Sequence, residues 1–309
     1  QFGASGTLSF EVGGVTIFEI DGSFSVSATA NGSSLSVDGF INLGGLGSRS
    51  VNGIITIITT PGVGESAGAF GALQLTQGTG PAAAGIGFTF NALFQLEFNF
   101  TAIDQTIQRY KVDTNGDVVT GETVDYTIVK QSVRVFAAGS LEVMELVTLR
   151  GKFELVFSAG DLTVTADAYT DILGATFAVS GGLGIYSGAN GGVAGFLTLT
   201  IDTGALSTST FALTASFSLG LNSTSLERTL SSTALAAQTA YMSASGSLEL
   251  LSTLTIVGSF NITISTDGLE MDATGTMSLA PLGSVGVTGQ LAISSAGIVG
   301  SLSMTGGAS

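Results

Sequence analysis

The chain has 309 residues, 45 of them Gly, and contains no Cys, no His and no Trp. Without imidazole or thiol it cannot build a Ser-His-Asp triad, a thiolate nucleophile, or a zinc, haem or iron–sulfur centre held by nitrogen or sulfur. Its 8 Lys+Arg against 23 Asp+Glu leave a formal charge of −15, which opposes nucleic acid and anionic lipid as partners, since both need clustered cations.

Charged residues supply 10% of the chain and apolar residues 44%, against roughly 25% charged in an ordinary soluble domain. An acidic disordered tail would have few apolar residues; this chain can bury a core. Its longest apolar stretches, such as Ile54 to Ile58, are far too short for a membrane-spanning helix, and no membrane insertion is expected. The chain starts at Gln1 with no basic region before an apolar one, so no signal peptide reads there, and it looks like a processed product or a slice of something longer. Few Lys and many Ser, Thr and Gly point to an extracellular or cell-surface location.

From the N-terminus on, the apolar residues recur with a period of two. Leu8, Phe10 and Val12 share a face, then Phe24, Val26 and Ala28, with the turn signal Asn31-Gly32 after them. Phe153, Leu155 and Phe157 follow the same rule, as do Leu162 and Val164 beyond Ala159-Gly160-Asp161. In Gly258 to Ser265, Phe260, Ile262 and Ile264 oppose Ser259, Asn261, Thr263 and Ser265, and Thr266-Asp267-Gly268 and Ser295-Ala296-Gly297 mark further turns. This is the pattern of antiparallel strands with one buried and one wet face. No long stretch reads as an amphipathic helix; Ser225 to Tyr241, with Leu226, Leu230, Leu235 and Ala236, comes nearest.

The strands belong to a repeat. Gly6-Thr-Leu-Ser, Gly139-Ser-Leu-Glu and Gly246-Ser-Leu-Glu open three units, followed by Gly22-Ser-Phe24, Gly151-Lys-Phe153 and Gly258-Ser-Phe260. Val-x-Gly strands come next, beginning at Val51, Val179 and Val287, and the separations Gly22 to Gly53, Gly151 to Gly181 and Gly258 to Gly289 are 31, 30 and 31 residues. Gly-x-Leu-x-(Leu/Met)-Thr closes each unit at Gly71 to Thr76, Gly195 to Thr200 and Gly300 to Thr305. A lead-in precedes the second and third units: Phe90 to Thr101 with Ile107-Gln-Arg109, and Phe211 to Leu219 with Leu226-Glu-Arg228. The first unit has none, so a preceding part of the polypeptide or a neighbouring subunit is expected to supply it. The division is residues 1–80, 81–205 with an insertion at 102–130, and 206–309. The fold class is all-β: an elongated repeat architecture of antiparallel β-meanders sharing a continuous core. Strands of low charge, with very few Lys and Pro to guard their edges, favour self-assembly.

Candidate sites are few. Asp113, Asn115 and Asp117 alternate as do the oxygen ligands that open a calcium loop. Val118 stands where the sharp-turn Gly belongs and Val124 where the bidentate Glu belongs, with Glu122 or Asp125 as substitutes; the alternative is an acidic turn. No cofactor is expected, with calcium the one the sequence leaves open. Asn31, Asn99, Asn222 and Asn261 lie in Asn-x-Ser/Thr sequons, so glycans are candidate covalent decoration. Paired carboxylates can be drawn from Asp161 and Asp167, or from Asp267, Glu270 and Asp272, but they fall at turns and outward positions, and no enzyme is expected. The basic residues from Lys130 to Lys152, with Arg134 and Arg150, are expected to pair with acidic faces.

These Gly-x-Leu, Gly-x-Phe and Val-x-Gly strands resemble the Gly/Ser/Thr-rich, strand-dense repeats of very large bacterial surface proteins. The resemblance covers nearly the whole chain, carries no functional residues, and implies an extracellular structural or adhesive role. The expectation is a structural subunit or repeat segment of an extracellular bacterial filament or surface fibre whose partner is itself, as a homopolymer or as tandem repeats of one long chain. Strand pairing or strand donation at Gly3 to Val12 and Gly300 to Thr305 would join neighbours. The competing readings are a calcium-dependent adhesin, an outer-membrane β-barrel (against which stand the absence of Trp and only 5 Tyr), and a lipid-carrying β-groove.

Overall fold

The computed structural model describes residues 2–12, 15–43, 48–77, 87–158, 161–172, 175–186, 188–201, 206–207, 211–230, 233–251, 253–265, 268–279, 283–294 and 297–306. Among these residues every regular element is a strand, and the antiparallel meander expected from the period of two is what forms. The first unit contains β1 (Phe2–Val12), β2 (Val15–Thr29), β3 (Gly32–Asn42), β4 (Ser48–Ile58) and β5 (Gly68–Gln77). The second opens with β6 (Phe88–Asn99) and a hairpin of β7 (Gln105–Val112) and β8 (Val118–Ile128). It continues through β9 (Ser132–Val143), β10 (Val147–Ser158), β11 (Asp161–Ile172), β12 (Ala175–Tyr186) and β13 (Gly192–Ile201). The third has the short β14 (Leu206–Ser207), then β15 (Phe211–Asn222) and a small hairpin of β16 (Arg228–Leu230) and β17 (Thr233–Leu235). Five strands close it: β18 (Thr239–Leu250), β19 (Leu254–Ser265), β20 (Gly268–Leu279), β21 (Gly283–Ser294) and β22 (Gly297–Gly306).

Each strand pairs with the next in the chain, except that β13 pairs with β15 past the two-residue β14, and the sheet passes from β6 directly to β9 and from β15 directly to β18. The ladders β5–β6 and β13–β15 join the three units into one sheet over one apolar core. The β7–β8 hairpin folds back over the sheet, and β16–β17 does the same in smaller form at the corresponding place in the third unit. Ser225 to Tyr241, the nearest approach to an amphipathic helix in a sequence that reads as strands, is not helical among its described residues. Its described residues belong to β16, β17 and the start of β18; Leu235 is buried while Leu226 is half exposed, so the leucines do not share one face. Of the four turn signals, Asn31 occupies the β2–β3 turn, and the other three lie partly outside the described residues.

The sheet curls because its middle column is made of small residues. Opposed across the strands stand Gly6, Gly22 and Gly39; Ala92, Gly139, Gly151 and Ala168; and Ala215, Gly246, Gly258 and Gly275. Backbones approach so closely there that a Cβ on Gly258 would lie 2.1 Å from the Thr274 carbonyl oxygen. Small residues in register permit a sharp bend. The bend brings distant strands face to face. Phe10 of β1 meets Phe98 of β6 with ring centroids 4.9 Å apart, although five strand spacings separate them, about 24 Å on a flat sheet. Gly87, just before β6, lies against Ser223, just after β15, one repeat further along. The core is the inner face of this coil, where Phe153, Phe177 and Phe260 are fully buried.

Candidate functional site: two open edges and a sealed insertion

The edges of the sheet are β1 and β22; no other described strand pairs with their outer sides. The repeat supplies an internal standard for each of their residues. Counting from the first glycine of each unit, Phe2 corresponds to Val135 and Met242, both fully buried, yet Phe2 is 71% exposed. Counting from the second, Val26 corresponds to Leu155 and Ile262, again fully buried, and is itself 36% exposed. At the other end Met304 takes the place of Leu75 and Leu199; they are 4% and 3% exposed, whereas it is 59% exposed. The same side chains that interior units enclose are bare at both ends. The segments Gly3 to Val12 and Gly300 to Thr305, singled out from the sequence, are these two edge strands.

The lead-in strands show what interior units place beside that edge. β6 and β15 align as Phe88 with Phe211, Ala92 with Ala215, Phe94 with Phe217, Leu96 with Leu219, Asn99 with Asn222 and Thr101 with Thr224. This shifts the sequence-based alignment, which starts from Phe90. Ala92 opposes Gly139 and Ala215 opposes Gly246. A Cβ on Gly139 would stand 2.3 Å from the Asn91 oxygen, and one on Gly246 would stand 2.2 Å from that of Thr214. At Gly6, the matching residue of β1, a Cβ would meet nothing within 4 Å.

The insertion is built on charge. Glu97, fully buried, takes both the Nε (2.6 Å) and an Nη (2.7 Å) of Arg109, while Arg134 donates its Nε at 3.0 Å. Glu154 completes a neutral cluster by accepting from both arginines, and Arg109 lies 3.3 Å from the centroid of Tyr126. Burial acts to lower the Arg134 pKa, but Glu154 and Glu97 outweigh it and hold the group above its ordinary value. Arg150 reaches Asp171 at 2.5 Å. Hydrogen bonds from Thr176 first and Arg150 second hold that carboxyl below its ordinary value. Both arginines expected to pair with acidic faces do so. Arg49, which sequence reasoning did not single out, is buried beside Phe94. Burial lowers its pKa, and its Nε has no partner among the described residues.

The four sequon asparagines part company. Asn31 and Asn261 stand exposed. Asn99 and Asn222 are fully buried and act as corner pieces. The Asn99 Nδ2 donates to the carbonyls of Ile103 and Ile128, and its Oδ1 accepts from the N–H and hydroxyl of Thr101. Asn222 repeats this with Leu226, Leu235 and Ala236 as acceptors and Thr224 as donor. Gln131 and Gln238, both at φ 54°, finish the two corners by donating to the carbonyls of residues 100 and 101, and 223 and 224. The threonine of each sequon therefore serves its asparagine, and neither buried amide is within reach of a glycan in the folded chain.

Asp113, Asn115 and Asp117 occupy the exposed tip of the β7–β8 hairpin. The Asp113 carboxylate accepts from the N–H groups of Asn115 and Asp117, and Gly116 is seated against the Arg150 carbonyl. Glu122 is engaged by Lys111 and Asp125 by Gln108, away from the tip. Among the described residues, no three acidic side chains gather with the spacing of a metal cage. Asp167 points outward from β11, and Glu270 and Asp272 point outward from β20, with Asp272 accepting from Gln290; the side chains of Asp161 and Asp267 lie outside the description. Among the described residues no helix is long and apolar enough to cross a membrane. No family model, no curated protein and no solved structure matches this chain.

Proposed function

We propose that this chain is a structural subunit, or a repeat segment, of an extracellular bacterial filament or surface fibre, joined to its neighbours through the edges of its sheet. One observation carries the reading: the exposure of Phe2, Val26 and Met304 at positions that interior units bury. Covering each such side chain is worth about 1.5–3 kcal/mol, and the unpaired N–H and C=O groups of two edge strands add directionality. The water-facing reading is supported by the polar pairs Thr7–Asp21 and Gln290–Asp272 on the outer surface, where the exposed Phe40, Ile54 and Val257 stand among Ser, Thr and Asp. A lipid-facing barrel would carry its apolar band there instead. The extracellular placement rests on composition, with 8 Lys+Arg and 45 Gly in 309 residues and many Ser and Thr.

Electron microscopy of the chain in negative stain, without detergent, tests the reading together with sedimentation velocity. Filaments of uniform width with a regular axial repeat are expected, and removal of residues 2–12 or of 297–306 should shorten or abolish them. Monodisperse single particles at every concentration would refute it.

A further inference from the structure

We infer that the open edge of β1 is a docking groove for one extended strand of the lead-in type that lies outside residues 1–309. Its expected pattern is Phe-x-(Phe/Leu)-x-Ala-x-Phe-x-Leu-x-(Phe/Leu)-Asn-x-Thr, with its Ala set opposite Gly6. This deepens the assembly reading proposed above and rests on it.

Three observations fix the occupant. In both interior units the strand on this side of the unit's first strand is a lead-in strand, β6 on β9 and β15 on β18, in the same register about Gly139 and Gly246. Gly6 keeps the glycine of those pairs, at φ 159°, and nothing among the described residues comes within 4 Å of its Cβ position, so a strand can approach there as closely as Asn91 and Thr214 approach Gly139 and Gly246. The third is parity. The main path from β1 to β22 holds seventeen strands, all antiparallel to their neighbours, so β1 and β22 run in the same direction. A direct joint between β22 of one copy and β1 of the next would therefore be parallel. One intervening lead-in strand is antiparallel to both and restores the pattern seen at β5–β6–β9 and β13–β15–β18. The folded lead-in strands of a second copy are already paired on both sides, so the donor is a segment outside such a folded sheet.

The absence of Cys permits a clean test. A peptide with the sequence Phe211–Thr224, carrying Ser216→Cys, is mixed with the chain carrying Ser5→Cys under mild oxidation, and adducts are measured by mass spectrometry. Ser216 opposes Ser245 in the β15–β18 ladder, and Ser5 corresponds to Ser245, so this pair should dominate. Peptides with Thr214→Cys or Ser218→Cys, on the same face but out of register, should give far less. Gly6→Ala should lower the in-register adduct by at least tenfold, about 1.4 kcal/mol, under conditions in which its own urea curve shows the variant chain still folded. Equal yields from the three peptides, or no adduct from any, would overturn the proposal. Cross-linking of Ser5→Cys chains to one another in place of the peptide would also overturn it, showing direct edge contact while leaving the assembly reading standing. Peptide capture by a chain that forms no filament would support the groove and sink the filament.

Discussion

Replacing Asn222 with Leu tests whether the buried asparagines are structural corners. The substitution keeps the side-chain size and removes every polar contact. Asn222 holds three carbonyls, of Leu226, Leu235 and Ala236, each at 2.9 Å, and accepts the Thr224 N–H at 3.0 Å. Each buried group left without a partner costs about 1–3 kcal/mol. Leu226 is 48% exposed, so water reaches its carbonyl region, whereas Leu235 is fully buried. Counting the groups that stay dry gives a loss of about 3–5 kcal/mol, a large share of the roughly 5–15 kcal/mol that stabilises a domain. Urea denaturation followed by far-ultraviolet circular dichroism and tyrosine emission measures it, with the 5 Tyr as reporters in a chain without Trp. Asn99→Leu should behave alike, and Asn261→Leu, at an exposed position, should stay within about 0.5 kcal/mol. An Asn222→Leu chain within about 1 kcal/mol of the parent would refute the reasoning.

Three further outcomes follow from the geometry. Glu97→Gln leaves the buried Arg109 and Arg134 with an uncompensated charge and should cost about 3–5 kcal/mol in urea denaturation; adding Arg109→Met should recover much of that loss, and simple additivity would argue against a shared network. Gly246→Ala puts a Cβ 2.2 Å from the Thr214 oxygen and should destabilise by about 1–3 kcal/mol or more, whereas Gly6→Ala should cost the free chain far less; equal effects would contradict the open groove. The Asp171 carboxyl is held below its ordinary value of 3.8, so its contribution is present above that value and is lost as pH falls below it through the lower folded value. Its side chain is 43% exposed, so the contribution is small. Asp171→Asn should lose slightly less stability than the parent between about pH 6 and pH 3, and a larger loss in the variant would reverse the sign.

What was legible in the sequence was whatever obeys a short period. Phe260, Ile262 and Ile264 alternate with Ser259, Asn261 and Thr263 and so announce a strand, and the glycines at 22, 151 and 258 announce the repeat. What was not legible depends on partners distant in sequence. Glu97 looks like an outward residue of its strand, since Leu96 and Phe98 point inward; only the hairpin laid over it, bringing Arg109, makes it a buried ion. Asn99 and Asn222 read as sequons because the same three-residue pattern that admits a glycan also suits a corner. Their matched pairing with Gln131 and Gln238 was the available signal, visible once the two lead-ins are aligned at Phe88 and Phe211 and not at Phe90. Leu226, Leu230 and Leu235 mimic helical spacing, but the chain there turns about Asn222, and the spacing records a corner followed by a small hairpin.

The curl and the open edge are parts of the same construction. Because the curled sheet brings Gly87, before β6, against Ser223, after β15, a side chain on the inner face is covered both by its neighbours in the sheet and by strands across the curl. Phe10 illustrates this: it sits on the edge strand yet is only 5% exposed, because Phe98 and Phe100 reach it from across the coil. Phe2, on the same face of the same strand, has no such cover and is 71% exposed. An added strand alone would pair the edge of β1 but leave Phe2 and Val26 partly bare, whereas a strand followed by a further turn of sheet would enclose them as Val135 and Leu155 are enclosed. In the proposed assembly a docked lead-in strand therefore satisfies the edge of β1 by pairing, while burial of Phe2 and Val26 needs further sheet beyond that strand.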